Sequence, residues 1–152
     1  TRTLRLFKEG DATGALEEFQ DAICDLQTGD TKDAVVKAHK SIESVMKTAL
    51  GTSEHLTFGK LLDQLLKCGL IPTYYQEFLV HFEKLALGAV KERNRPGTGH
   101  GQGNIAVNVP PSLAEFVVNL ACPIHLFLIE RWVEARRTTE STSDSSDQKT
   151  RW

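Results

Sequence analysis

One short stretch of the chain combines a guanidinium, an amide and an imidazole among glycines. Arg93 and Asn94 precede His100 by a few residues, and glycines alternate with other residues from Gly97 to Gly103. Arginine presents a fixed fork of donors that fits phosphate oxygens, and histidine titrates near neutral pH. Glycine lets the backbone turn sharply or approach a ligand closely. These residue types therefore predict acid–base chemistry on a phosphate.

The position of Arg93 on the helix predicted before this stretch is not that of an ordinary helix cap. Phe82 and Ala89 lie on the apolar face of that helix, and Arg93 occupies the next position on the same face. Cations at a helix C-terminus complement the helix dipole, which accounts for Lys91 and Arg95. It does not account for a cation on the apolar face. Each residue alone fits a helix end, but the set together predicts a site.

Three other kinds of site do not fit the glycine-rich stretch. No Lys-Ser or Lys-Thr pair follows the glycines, so it is not a Walker loop, and a helix rather than a strand precedes it, so it is not a dinucleotide fingerprint. Between Arg93 and Ser112 the only metal-binding side chain is His100, whereas zinc usually needs three or four ligands. We therefore expect neither a metal nor another cofactor.

The composition sets limits on the whole protein. A chain of 152 residues fits one domain with a real core, and a net charge of -2 leaves nucleic-acid binding to a local cluster of cations. No apolar run approaches the ~20 residues of a membrane span, so we expect no membrane contact. Three widely spaced cysteines, Cys24, Cys68 and Cys122, are predicted to be reduced, buried thiols of a cytoplasmic protein.

Apolar residues at helical spacing predict an all-α bundle of about five helices, with the glycine-rich loop before the last long helix. The first predicted helix follows Asp11 and ends at Gly29, the second runs from Thr31 to Leu50 and ends at Gly51, and the third begins at Phe58. Two capping boxes, Thr73 with Gln76 and Ser112 with Glu115, start the last two. Pro123 is expected to kink the last helix. Residues 4–7 fit either a strand or a helical turn. Over residues 105–109 the side-chain types alternate with the period expected of a strand.

The domain prediction has three parts. Residues 1–29 form an N-terminal helical segment, residues 30–137 form the helical domain, and residues 138–152 form a disordered polar tail. The tail prediction rests on its Thr, Ser and Asp content, which offers almost no apolar surface to offset the entropy of ordering.

The stretch from Arg93 to Gly101 resembles the signature of the HEPN superfamily, an Arg, a polar residue, a short variable stretch and a His. It is most similar to the C-terminal domain of bacterial abortive-infection proteins, and the likeness covers roughly residues 30–132. Arg95 also starts an Arg-x4-His match, but Asn94 directly after Arg93 favours Arg93 as the first residue of the motif.

The resemblance implies a metal-independent endoribonuclease of an anti-phage or toxin system. The ribose 2′-hydroxyl attacks the neighbouring phosphate, with His100 as base or acid and with Arg93 and Asn94 beside it. Lys91 and Arg95 would bind the RNA backbone, or else only complement the helix dipole, and the glycines of the loop would approach the substrate. These glycines are Gly99 and Gly101. Glu43 would orient Arg93 or His100, or else lie solvated on its helix.

One histidine does not serve as acid and base together, and the other histidines have ordinary interpretations. His39 is predicted on a polar face, His81 at a surface or interface, and His125 in the kinked helix. The simplest source of a second histidine is therefore a homodimer with a composite site, which the resemblance also implies, and we expect this arrangement. Other partners would be an antitoxin or a larger defence protein. The alternatives are a catalytically silent HEPN module for nucleotide binding or dimerisation, and a helical adaptor with a flexible glycine loop.

Overall fold

The computed structural model describes residues 2–91 and 109–147, and the side chains of 5–90 and 109–141 within them. These residues form six helices and no strand, so the all-α prediction is confirmed. The helices are α1 (Arg2–Glu9), α2 (Thr13–Thr28), α3 (Thr31–Leu50), α4 (Phe58–Lys67), α5 (Thr73–Lys91) and α6 (Pro111–Asp147).

Local signals end and start several helices where the sequence predicts. Gly29 and Gly51 end α2 and α3 in the left-handed conformation, with φ of 87° and 64°. Asp30 caps the start of α3 by accepting a hydrogen bond from the backbone N–H of Asp33 at 3.2 Å. The result is a tight reversal between α2 and α3, which then pack against each other.

A single apolar core joins all six helices. Helix α3 lies at the centre of the bundle: it buries nine residues, polar ones included, and packs against α2, α4, α5 and α6. Helices α1 and α2, which the sequence placed in a separate segment 1–29, add Phe7 and Phe19 to the same core. They belong to the bundle because their apolar faces are covered by α3 and α6.

Residues 4–7, for which the sequence left a strand and a helical turn open, are helical and belong to α1. The two capping-box predictions are wrong, because α5 and α6 begin at Thr73 and Pro111, so neither Thr73 nor Ser112 is a cap. The Gln76 side chain donates to Asp63 instead of closing a capping box. The first N–H groups of α5 bond to the carbonyl of Pro72.

The last helix continues where a disordered tail was predicted. α6 passes through Pro123 and runs to Asp147, and residues 148–152 lie outside the described part. Hydroxyl groups bond back to the helix backbone, as from Thr138 to the carbonyl of Glu134 at 3.0 Å. An established helix adds each further residue at little cost, so a polar sequence is able to extend it.

The apolar content of α6 is also higher than the sequence analysis allowed. By length and composition alone, the segment Pro111–Ser141 contains a stretch apolar enough for a membrane span: its most apolar 18-residue window has a mean hydropathy of 1.8, and 44% of that window is buried in the protein. The central helix of a bundle passes the same test. Here the buried residues of α6, such as Val117 and Ile124, belong to the shared core.

The cysteine prediction is partly wrong. All three thiols are free, as expected, but Cys24 and Cys68 are exposed and Cys122 is only partly buried. Cys24 and Cys68 lie at the edges of their helices' apolar faces, where an apolar neighbourhood in the sequence does not imply burial.

Candidate functional site at the ends of α5 and α6

The predicted catalytic motif lies between two helices whose ends are well defined. Arg93, Asn94, Arg95, Gly99, His100 and Gly101 all lie outside the described residues. Lys91 is the last residue of α5, and its side chain is outside them as well. Of the predicted site residues, Glu43 is the one whose side chain is described.

The chain after the motif is fixed to the start of α3. Val109 is 2% exposed, and its carbonyl accepts a 2.7 Å hydrogen bond from the hydroxyl of Thr31, which is 6% exposed. A buried carbonyl costs free energy unless it is bonded, so this contact fixes the chain just before α6. The next residues, Pro110 and Pro111, start α6, and the carbonyl of Pro110 accepts from two N–H groups of its first turn.

Helices α3 and α6 run in the same direction. Their starts meet where Thr31 bonds to Val109, and their middles meet where Ser41 lies 2.9 Å from the Nε2 atom of His125. The N-termini of both helices therefore lie at one end of the bundle. Asp30 and Asp33 already complement the dipole at the start of α3, whereas the first turn of α6 contains no acidic residue.

Helix α5 runs in the opposite direction. Tyr75, near its start, stacks on Phe127 far along α6 with ring centroids 3.9 Å apart, while Glu83, later in α5, approaches His39 of α3. The C-terminus of α5 therefore lies at the same end of the bundle as the start of α6. The last described residue before the motif, Lys91, and the first one after it, Val109, therefore both lie at this end of the bundle.

Glu43 lies on the side of the bundle, away from that end. It is partly buried, and its pKa is raised, mainly because burial disfavours the charged carboxylate and further because Glu83 and Glu18 are nearby. Twelve residues separate it from Thr31, about 18 Å along α3. Contact with the motif would require the chain after Lys91 to turn back along α5.

Among the other histidines, His39 is the one whose environment differs from the prediction. His39 was predicted on a polar face, but it is 6% exposed and stacks on Phe58, with ring centroids 4.8 Å apart and planes inclined by 26°. His125 is fully buried, and burial lowers its pKa to about 3. His81 is exposed on α5, as predicted.

Sequence reasoning missed Glu83. Its side chain is 27% exposed, and Oε1 lies 4.0 Å from Nε2 of His39. A signal was present, since Leu79, Glu83, Ala86 and Val90 repeat at helical spacing, which puts a carboxylate on the apolar stripe. His39 has the same signal between Val35 and Ile42.

The described side chains offer no metal site. Among them, no group of three or more His, Cys, Asp or Glu residues is arranged to hold a metal ion.

Comparison with known proteins gives one match. The sequence profile of Abi_C, described as a HEPN-like domain, matches residues 13–132, which include α2 to α5, the motif and most of the buried part of α6. The match begins earlier than the likeness seen in the sequence, because it includes α2. No curated protein and no solved structure matches the chain.

Proposed function

This chain belongs to the Abi_C family of HEPN-like domains, and on that premise we propose that it is a metal-independent endoribonuclease acting in anti-phage abortive infection or as a toxin. One observation carries the proposal: Arg93, Asn94 and His100 form the HEPN motif inside the matched residues, between the adjacent ends of α5 and α6. The substrate is RNA in the cytoplasm, and an antitoxin or a larger defence protein restrains the activity.

The proposed reaction needs a base, an acid and a positive charge. A base removes the proton of a ribose 2′-hydroxyl, the O2′–P bond forms, the P–O5′ bond breaks, and an acid protonates the leaving O5′ atom. The products are a 2′,3′-cyclic phosphate and a 5′-hydroxyl end. His100 is the base or the acid, Arg93 stabilises the charge on the phosphorane, and Asn94 orients the histidine or the phosphate.

The described helices support the proposal by fixing the chain on both sides of the segment that contains the motif. Leu79, Phe82 and Ala86 anchor α5 in the core, and Val109 is bonded to Thr31. Residues held on packed elements keep the geometry that catalysis needs. The first turn of α6 contains no acidic residue, so the positive end of its dipole is available to a phosphate.

A second copy of the chain supplies the second histidine in this proposal. Five large hydrophobic residues are exposed among the described side chains, and four of them lie on the two helices that flank the motif. The four are Tyr74, Phe78 and Leu85 of α5 and Phe116 of α6. Exposed apolar surface of this kind is typical of an interaction site.

The position of these residues favours one kind of dimer. Counting from the contact of Tyr75 with Phe127, Leu85 lies about 15 Å along α5 and Phe116 about 16 Å back along α6, so the two share one level near the motif end. A two-fold axis parallel to α5 and α6 would bring both motifs together.

The interface is tested with matched substitutions. We expect Leu85→Asp combined with Phe116→Asp to convert the dimer to a monomer in sedimentation and to lower RNA cleavage more than tenfold. Ile23→Asp is the control, because Ile23 has the same 36% exposure as Leu85 but lies on α2. A wild-type monomer that cleaves RNA at full rate would contradict the composite site.

Toxicity on expression tests the activity in cells. We expect wild-type protein to arrest growth and both His100→Ala and Arg93→Ala to relieve the arrest at equal protein levels. Equal toxicity of wild type and His100→Ala would exclude His100 as the catalytic group. A wild-type protein that cleaves no RNA in EDTA would favour the catalytically silent module.

A further inference from the structure

Lys32 places a positive charge at the start of α3, at the end of the bundle where α5 stops and α6 starts. It directly follows Thr31, whose hydroxyl bonds to the carbonyl of Val109. Lys32 is partly buried and belongs to the first turn of α3. The positive end of a helix dipole disfavours a cation in that turn. The electrostatics of α3 itself therefore do not account for this lysine, and a residue that breaks a local rule is expected at functional sites.

Lys32 lies on the side of α3 that faces α5. His39 follows it by seven residues, which is close to two helical turns, so both residues lie on one side of the helix. That side faces α5, since Nε2 of His39 lies 4.0 Å from Oε1 of Glu83. The two helices run in opposite directions, and Val90 follows Glu83 by seven residues. Lys32 and Val90 are therefore level with each other, each about 10 Å along its helix from the contact between His39 and Glu83.

This position is between the two described stretches of chain that flank the motif. Val90 precedes Lys91, the last described residue before the motif, and Val109 is the first described residue after it. Val90 is level with Lys32, and Val109 is bonded to its neighbour Thr31. The chain therefore leaves the described bundle and rejoins it beside Lys32.

The acidic residues near the start of α3 have other partners. Asp30 accepts a hydrogen bond from the backbone N–H of Asp33 at 3.2 Å. Asp33 lies on the side of α3 that faces α2, where the pKa of Lys37 is raised first by its hydrogen bond with Asp25 and further by the charge of Asp33. Among the described side chains, Lys32 forms neither an ion pair nor a hydrogen bond. Its ammonium group is therefore available to an anion.

We propose that Lys32 binds a backbone phosphate of the RNA substrate and so contributes to the affinity of the protein for a single RNA strand. The inference rests on the proposed function, because the motif belongs to the segment that leaves and rejoins the bundle beside Lys32. A lysine ammonium binds phosphate as a point charge. The first turn of α6, which contains no acidic residue, adds the positive end of its dipole at the same end of the bundle. The alternative is a structural role, in which Lys32 only binds carbonyl groups at the C-terminus of α5.

The salt dependence of binding tests the phosphate contact without cleavage. The probe is a 2′-O-methyl RNA strand, which lacks the attacking hydroxyl, and fluorescence anisotropy measures its dissociation constant over a series of KCl concentrations. Each phosphate contact with a single strand contributes about −0.7 to the slope of log K against log salt. We expect Lys32→Gln to make this slope shallower by about 0.7, which weakens binding about fivefold at about 0.1 M salt. Lys32→Arg should keep the wild-type slope.

Lys67→Gln is the matched control, because it removes the same charge at the opposite end of the bundle. Lys67 is exposed in the last turn of α4, and the carbonyl of Leu70 just after it accepts from Arg131, far along α6. This variant should keep the wild-type slope. Equal slopes for Lys32→Gln and Lys67→Gln would overturn the proposal. A lower Tm of Lys32→Gln with an unchanged slope would show the structural role instead.

Cleavage kinetics separate this inference from the proposed function. With unmodified RNA, Lys32→Gln should raise KM about fivefold with little change in kcat, because the contact is present in both the ground state and the transition state. If wild-type protein binds the 2′-O-methyl strand but cleaves no RNA, the proposed function fails and the slopes still decide the role of Lys32. If wild-type protein cleaves RNA and Lys32→Gln changes neither the slope nor KM, only this inference fails. A wild-type protein that neither binds nor cleaves RNA would overturn both.

Discussion

Replacing His125 with glutamine is expected to remove a large part of the protein's sensitivity to mild acid. His125 is fully buried, with its ring edge-on to Phe7 and Phe19 at centroid distances of 5.2 and 4.8 Å. The hydroxyl of Ser41 donates to the carbonyl of Ala38 at 2.7 Å, so it accepts from Nε2 of His125 at 2.9 Å. The ring is therefore neutral, with its proton on Nε2.

The size of the effect follows from the pKa of His125. Burial lowers this pKa from 6.5 to about 3, against a smaller opposing contribution from the hydrogen bond with Ser41. Between these two pH values the unfolded chain binds a proton that the folded protein excludes, so stability falls as the pH decreases below 6.5. At about 1.36 kcal/mol per pH unit, the loss reaches roughly 2 kcal/mol at pH 5.

Urea unfolding at pH 7.5 and pH 5 measures this loss. His125→Gln keeps a donor for Ser41 and lacks the titrating group, so its free energy of unfolding should fall by roughly 2 kcal/mol less than that of wild type over this range. His81→Gln, which replaces an exposed histidine, should behave as wild type. Equal pH dependence in His125→Gln and wild type would refute the assignment of a buried neutral imidazole.

Two further predictions concern the chain on either side of the motif and the end of α6. Thr31→Val leaves the buried carbonyl of Val109 without its donor and should lower the free energy of unfolding, measured in urea, by about 1 to 3 kcal/mol. Thr48→Val is the control, because the Thr48 hydroxyl bonds within its own helix, and it should lower the free energy of unfolding by less than half as much. Ending the chain after Arg137 removes turns of α6 whose described side chains are all exposed, and should change Tm by less than about 2 °C in calorimetry. A larger fall would show that these turns contribute to the core.

The helical spacing of apolar residues correctly predicted those helices that also end at a glycine. α2 and α3 end at Gly29 and Gly51 as expected, because a left-handed residue closes a helix and glycine adopts that conformation without strain. α1 was ambiguous because eight residues give barely two helical turns in which to detect a repeat. The end of α6 was missed because its polar sequence continues a helix that the core had already stabilised.

The candidate site could be predicted only in its residue types. The motif is recognisable from Arg93, Asn94 and His100, yet a loop's shape depends on individual contacts and not on a repeating pattern. The contact between His39 and Glu83 was missed because His39 was assigned to a polar face and Glu83 was passed over on the apolar stripe of its helix. Ionisable residues on such a stripe are the signal to follow, since burial shifts pKa values and often marks functional sites.

The most direct test of the proposed activity is the chemistry of the RNA ends. Purified protein incubated with an RNA oligonucleotide in EDTA should produce 2′,3′-cyclic phosphate and 5′-hydroxyl ends, identified by mass spectrometry. His100→Ala should abolish these products while its Tm and sedimentation remain those of wild type. Absence of cleavage by wild type, or unchanged cleavage by His100→Ala, would contradict the proposal.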